Sequence, residues 1–135
     1  MRRYLLDTNS AGHCIFRRFG VHERAKQARR EGNHIGIGMP VLAELLAGVE
    51  YSASRDRNLE IVNRNLRLFR VWPFHTEAAR EYGRIFAALR TAGRPMQVVD
   101  MMIAAIALSL GSCTVVTSDS DLAAVPRLAV ENWLL

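Results

Sequence analysis

The sequence of 135 residues lacks any apolar run approaching the ~20 residues that a membrane-spanning helix needs. The apolar part of its N-terminus, Tyr4-Leu5-Leu6, stops at Asp7, far short of the hydrophobic region of a secretory signal. Neither membrane insertion nor export by that route is expected. Cysteine is scarce: Cys14 and Cys113 stand far apart, in apolar surroundings, without a CxxC or Cys/His spacing. Neither a disulfide scaffold nor a zinc site is indicated, and both cysteines read as reduced core residues of a cytoplasmic protein. Internal repeats, low-complexity tracts and linkers are also missing. The chain is therefore expected to form a single domain spanning 1–135.

Lysine is the scarcest of the charged residues, Lys26 being the only one, yet the formal net charge is +5 and the pI is near 10. The excess is carried by arginine, the better residue for bidentate phosphate contact, and it favours an anionic partner, nucleic acid first. Half of the residues are hydrophobic and 23% are charged, the mixture of a packed globular protein.

Strand and helix signals alternate along the chain. Tyr4-Leu5-Leu6 reads as a buried strand ending at Asp7-Thr8-Asn9, a polar turn able to cap a helix. Arg18 to Arg30 reads as a charged surface helix, and His34 to Ile37 as a second strand. Met39-Pro40 then puts proline in the first turn of a helix running to Glu50. Leu59, Val62, Leu66 and Phe69 recur at helical spacing, with Arg55, Arg57, Arg64 and Arg67 on the remaining faces, and lead into a strand near Leu68 to Val71. Thr76 is the expected cap of a helix with the stripe Ala78, Tyr82, Ile85, Phe86 and Leu89, stopped by Gly93. A helix from Val99 to Leu110 precedes a β-branched strand, Cys113 to Thr117, and Leu128 to Asn132 suits a short edge strand. The alternation predicts an α/β protein of three layers, α/β/α, around a mainly parallel sheet of four to five strands.

Against this basic background the informative residues are acids set in apolar stretches. Asp7 follows a buried strand, at the edge where open α/β sheets place ligands, although taken alone it is better explained as the cap of the next helix. Glu44 stands in Val41-Leu42-Ala43-Glu44-Leu45-Leu46-Ala47-Gly48, where no helical neighbour can pair with its charge. Asp100 interrupts Val98-Val99-Asp100-Met101-Met102-Ile103 at a helix start, where the backbone dipole favours an acid. Thr117-Ser118-Asp119-Ser120-Asp121 follows another strand and also reads as an ordinary polar turn. Each has a structural explanation alone; together they stand after two strands and near the starts of helices, a placement consistent with one edge of a single sheet. Carboxylates crowded there repel one another, and a hard divalent cation, Mg²⁺ or Mn²⁺ rather than zinc, is the usual remedy. A basic protein with an acidic metal site points to hydrolysis of phosphodiesters. His13, His22, His34 and His75 share no ligand spacing and read as surface or core residues.

The ordered set Leu5-Leu6-Asp7-Thr8-Asn9, Leu42 to Gly48, Gly93-Arg94-Pro95 leading to Asp100-Met101-Met102-Ile103-Ala104-Ala105, and Val125 to Trp133 resembles the PIN-domain ribonucleases, specifically the VapC toxins of bacterial toxin–antitoxin pairs. That resemblance implies a PIN-like fold and a Mg²⁺- or Mn²⁺-dependent endoribonuclease in which Asp7, Glu44 and Asp100 match the family acids. Asp119, favoured for its closeness to the strand end, matches a fourth, and Asp121, the acid before the position where relatives carry Phe and this chain Leu122, is a second candidate. Thr8, Asn9 and Thr117 match polar positions given supporting hydrogen bonds to the carboxylates. The resemblance also implies an RNA substrate (transfer or ribosomal RNA), a cognate VapB antitoxin, a homodimer, and operator DNA bound only through the antitoxin. Arg94, Arg17 and Arg18 are expected phosphate contacts from their places near the acid-bearing segments. Met96-Gln97-Val98-Val99 departs from the more polar segment of many relatives. A haloacid dehalogenase-like phosphatase would need an acid where Asn9 stands. A silent PIN-like module that binds RNA or protein without cutting is the non-enzymatic alternative.

Overall fold

The computed structural model describes residues 1–134; Leu135, included in the single-domain expectation, lies outside them. The chain runs β1 (Arg3–Leu6), α1 (Thr8–Ile15), α2 (Val21–Arg30), β2 (His34–Gly38), α3 (Met39–Tyr51), α4 (Arg55–Leu66), β3 (Arg70–Trp72), α5 (Thr76–Thr91), α6 (Val98–Leu110), β4 (Cys113–Val116), α7 (Ser120–Ala123) and β5 (Ala129–Glu131). The strands form one five-stranded sheet in the order β3-β2-β1-β4-β5. Every pairing is parallel, so the expected mainly parallel sheet is fully so.

The order explains the layers. From β1 the chain steps outward to β2 and β3, then returns past β1 to lay down β4 and β5. Right-handed crossovers that step in opposite directions leave their helices on opposite faces, giving three layers with a switch of direction between β1 and β4. α1 packs on α2, α3 and α4, while the most extensive helix contact is between α5 and α6. Strands covered on both faces must be apolar on both, and Leu5, Leu6, Ile37, Val115 and Val116 are fully buried. Burying such a side chain contributes roughly 1.5–3 kcal/mol. α6 is apolar nearly all round, with Ile103, Ala104, Ala105 and Ile106 inaccessible, as befits a helix wedged between sheet and neighbours. Gly36 is needed by close approach: a Cβ there would lie 2.2 Å from the Arg70 carbonyl oxygen of the adjoining strand.

The elements differ from the sequence reading at their ends. α5 is capped by His75, whose Nδ1 accepts a 3.5 Å hydrogen bond from the Ala78 amide, and the expected cap Thr76 is the first helical residue. The imidazole acceptor does the work usually given to a hydroxyl. β3 starts at Arg70 rather than Leu68, because Leu68 and Phe69 turn back onto Asn65 and Leu66 through backbone hydrogen bonds. The single turn α7 was not foreseen.

Candidate active site

Asp7 closes β1. Its amide donates to the Val116 carbonyl of β4 at 3.0 Å, and one carboxylate oxygen, Oδ1, accepts from the Ser10 amide at 2.8 Å. The side chain is thus the N-cap of α1 and also stands, almost fully buried, at the switch between β1 and β4. Capping and site placement, read as alternatives in the sequence, coincide: the cap fixes the carboxylate at the sheet edge.

Glu44 projects from the second turn of α3, and the Thr8 hydroxyl of α1 donates a hydrogen bond to its Oε1. Asp119, the residue before α7, caps that turn: its Oδ1 accepts from the Asp121 amide at 2.8 Å. Its own amide donates to the Thr117 hydroxyl at 2.9 Å. Thr117 therefore holds the backbone of Asp119 rather than bonding to a carboxylate as expected. Asn9 is exposed in the first turn of α1 and makes no side-chain hydrogen bond among the described residues. Of the three expected supporters, only Thr8 donates directly to an acid.

Asp100, in the first turn of α6, reports the convergence. Its carboxyl is pushed up to about 6, first by burial, then by the charges of Asp119, Asp7, Glu44 and Asp121 in that order. All five acids therefore share one field, and Asp119 acts on Asp100 more strongly than Asp121 does. None of the five lies within an ion pair among the described residues, although arginine is abundant elsewhere. No three of these side chains are drawn together as a ready ligand set among the described residues. Bare carboxylates held by Ser10 and Thr8 gain nothing from closer approach to one another. An all-oxygen donor set with uncompensated negative charge fits a hard divalent cation and not zinc.

Beside Glu44 lies an apolar shelf that the sequence reading missed. Met39, Ala43 and Ala47 of α3, Pro73 and Phe74 after β3, and Val99 and Met102 of α6 line it. Three separated segments build it, so no local pattern announces it. The expected phosphate contacts fall in different settings. Arg94 is exposed and shares a small cleft with Asp121. Arg18 is exposed with its guanidinium 5.4 Å from the Phe16 ring centroid. Arg17 lies at the far end of α1, tied to the backbone there.

The PIN domain family model matches residues 4–128. The tRNA(fMet)-specific endonuclease VapC of Salmonella typhimurium is 31% identical, covering 98% of this chain and 99% of its own. Ribonuclease VapC2 of Rickettsia felis is 26% identical over 96% of this chain and 97% of its own. Among solved structures, VapBC2 from Rickettsia felis bound to a promoter DNA fragment superposes with a TM-score of 0.90 at 26% identity, covering 97% of this chain and 98% of that one. DNA-bound VapBC from Salmonella typhimurium does so with a TM-score of 0.89 at 31% identity, covering 98% and 99%.

Proposed function

The chain belongs to the PIN domain family, and on that premise we propose that it is the toxin of a toxin–antitoxin pair, an endoribonuclease that hydrolyses RNA phosphodiester bonds at the acids of the β1/β4 crevice. The observation that carries the reading is the shared field at Asp100: four other acids act on one half-buried carboxyl, with no arginine offsetting them. Charge left uncompensated at the carboxyl edge of a parallel sheet is costly and suits a site that binds cations. The VapC relatives named as endonuclease and ribonuclease support the reaction class.

Asp7, Asp100 and Asp119 are the residues assigned to hold Mg²⁺ or Mn²⁺, with Glu44 directly or through water and Asp121 as the second candidate for the fourth place. Such a cation supplies, when bound, neutralisation of the carboxylates and of the charge that develops on the scissile phosphate. The chain's own residues do the positioning. Ser10 and Thr117 fix Asp7 and Asp119 through backbone hydrogen bonds, so these ligands stay in place before substrate arrives. Thr8 occupies Oε1 of Glu44 and leaves the second oxygen to accept a proton from the attacking water. In-line attack by water leaves a 5′-phosphate and a 3′-hydroxyl; a 2′,3′-cyclic phosphate would contradict it. Arg94, beside Asp121, and Arg17 and Arg18 farther along are assigned to RNA phosphates.

A VapB-type antitoxin is the inhibitor, supported by the VapBC complexes among the structural neighbours, and operator DNA is reached only through it. The substrate is a transfer or ribosomal RNA, and the toxin acts as a homodimer. End-labelled cleavage of bacterial RNA by antitoxin-free protein tests the reading, with Mg²⁺ or Mn²⁺, with EDTA, and with Asp100→Asn. Cutting that needs the metal and is lost in the variant is expected. Folded protein that binds RNA without cutting it under either metal would instead be a silent RNA-binding module.

A further inference from the structure

The acids account for bond breaking but not for the distribution of positive charge, which is concentrated elsewhere. Between the C-terminal end of α1 and the outer face of α4 runs a groove of about 610 Å³. We propose that this groove, lined by Phe16, Arg17, Arg57, Ile61, Arg64 and Arg67, is a second docking surface that grips the phosphates of a structured RNA at a distance from the cleavage site. It rests on the ribonuclease reading and adds a specific surface to it.

Arg17 is prepared for this role. Its Nη1 donates to the Cys14 carbonyl at 3.0 Å, the Ile15 carbonyl at 3.2 Å and Asn65 Oδ1 at 2.9 Å. Asn65 is itself buried and anchored, its Nδ2 donating to the Ile61 carbonyl at 2.8 Å. One nitrogen thus fixes the guanidinium, while Nε and Nη2 have no acceptor among the described residues. An exposed arginine held this way loses little conformational freedom when it meets a phosphate.

The α4 side supplies the other cations. Arg57, Ile61 and Arg64 follow helical spacing on one face of α4, so the arginines point into the groove along about 10 Å of helix. Arg57 and Arg67 are exposed and make no ion pair or side-chain hydrogen bond among the described residues, whereas Arg55 on the neighbouring face is claimed by Glu50 and Asp56. Arg64 alone in the groove is paired, with Glu60. No acid lines the groove. Its positive field reaches α2: His22 is held below the ordinary imidazole value by burial first and by Arg17 next. Guanidinium forks beside an apolar strip of Phe16 and Ile61 suit a ribose-phosphate backbone with its sugars on the apolar surface.

Position supports the assignment. Asp7 caps the start of α1 and Arg17 lies just past its end, so the helix of 8 residues separates acids from groove by about 12 Å. An RNA cut at the acids can reach the groove only if it extends several nucleotides beyond the scissile bond, at roughly 3.4 Å per stacked nucleotide, so a strand of two or three nucleotides is cut without touching it.

The test uses the full chain carrying Asp100→Asn for binding and the otherwise unaltered chain for cleavage. With bulk bacterial transfer RNA as probe, the Arg57→Glu/Arg67→Glu double variant is expected to bind at least about tenfold more weakly. Its plot of log affinity against log salt should be shallower by about 1–2 in slope. Cleavage of a short unstructured oligoribonucleotide should be unchanged, and circular dichroism confirms folding. Equal affinity and equal slope would overturn the proposal, as would absence of transfer RNA binding by the parent protein. Loss of antitoxin binding with RNA affinity intact would reassign the groove to an acidic peptide and overturn it too. Failure of the parent to cut any bacterial RNA under either metal sinks the nuclease reading separately.

Discussion

Two groups of acids in this molecule face opposite electrostatic circumstances. Glu131, on the edge strand β5, has Arg2 at 3.3 Å and Arg24 at 3.7 Å, and Trp133 donates its indole N–H to it at 3.0 Å. Asp7, Glu44, Asp100, Asp119 and Asp121 meet backbone amides, one threonine hydroxyl and one another. The same arginine-rich sequence thus matches cations to the acid that ties down its C-terminal segment and withholds them from the acids at the β1/β4 crevice. Neutralised charge marks where the fold is fastened. Charge left open marks where it expects something from outside.

The strongest way to break this contrast is to remove one open charge. Asp100→Asn should lower RNA cleavage by about 10³-fold or more, and EDTA should do the same to the unaltered protein, as read from end-labelled products. If instead Glu131→Gln abolished cutting and Asp100→Asn spared it, the assignment of roles would be reversed.

Next in size is the support of Glu44. Thr8→Val removes the hydroxyl that holds Oε1 and should cost about tenfold to a hundredfold in cleavage while leaving the melting temperature nearly unchanged.

A third effect concerns stability in metal-free protein and has the opposite sign to the loss of activity. Because the folded carboxyl of Asp100 lies at about 6, above its ordinary 3.8, the folded state holds this proton more tightly than the unfolded chain does. The stabilising contribution is complete below about 3.8 and is lost as pH rises toward 6. Asp100→Asn should therefore make the apoprotein more stable at neutral pH by roughly 1 kcal/mol, after allowance for the solvent that reaches the site. The gain should vanish near pH 4, and saturating Mg²⁺ should reduce it. Thermal melts across pH check it. The smallest effect is expected on the paired side: Glu131→Gln should cost less than about 1 kcal/mol in urea unfolding and leave cleavage intact.

Much of this contrast can be read in the sequence, for unequal reasons. Asp7 is visible because a buried strand ends abruptly in an acid, and Glu44 because its helical neighbours offer no cation. Asp100 looks like a helix-start acid, which it is; only the sheet order shows that its helix start faces β1. The alternation of elements gives the layers, but the direction switch that brings Asp7 beside Val116 depends on pairing across nearly the whole chain. His75 hides as a cap because imidazole is an uncommon acceptor there, and α7 is one turn too short for periodicity. The role proposed for Arg17 rests on its left-handed backbone, φ 59°, and on a buried asparagine from another helix, neither of which a run of arginines reveals. The apolar shelf draws on α3, α6 and the segment after β3 and has no linear signature at all.

The middle place of β1 has a consequence for how the protein comes into being. The strand made first is completed on one side only by β4, so that Arg3 finds Cys113 and Leu6 finds Val116. On the ribosome, Asp7 emerges well before β4 and waits through α1 to α6 for the strand that builds the other wall of its crevice. A nascent or truncated chain, however well its early helices form, carries only part of the acidic cluster. The cluster becomes whole only once β4 and the turn that follows it are in place, so a chain that stops short of them cannot assemble the crevice.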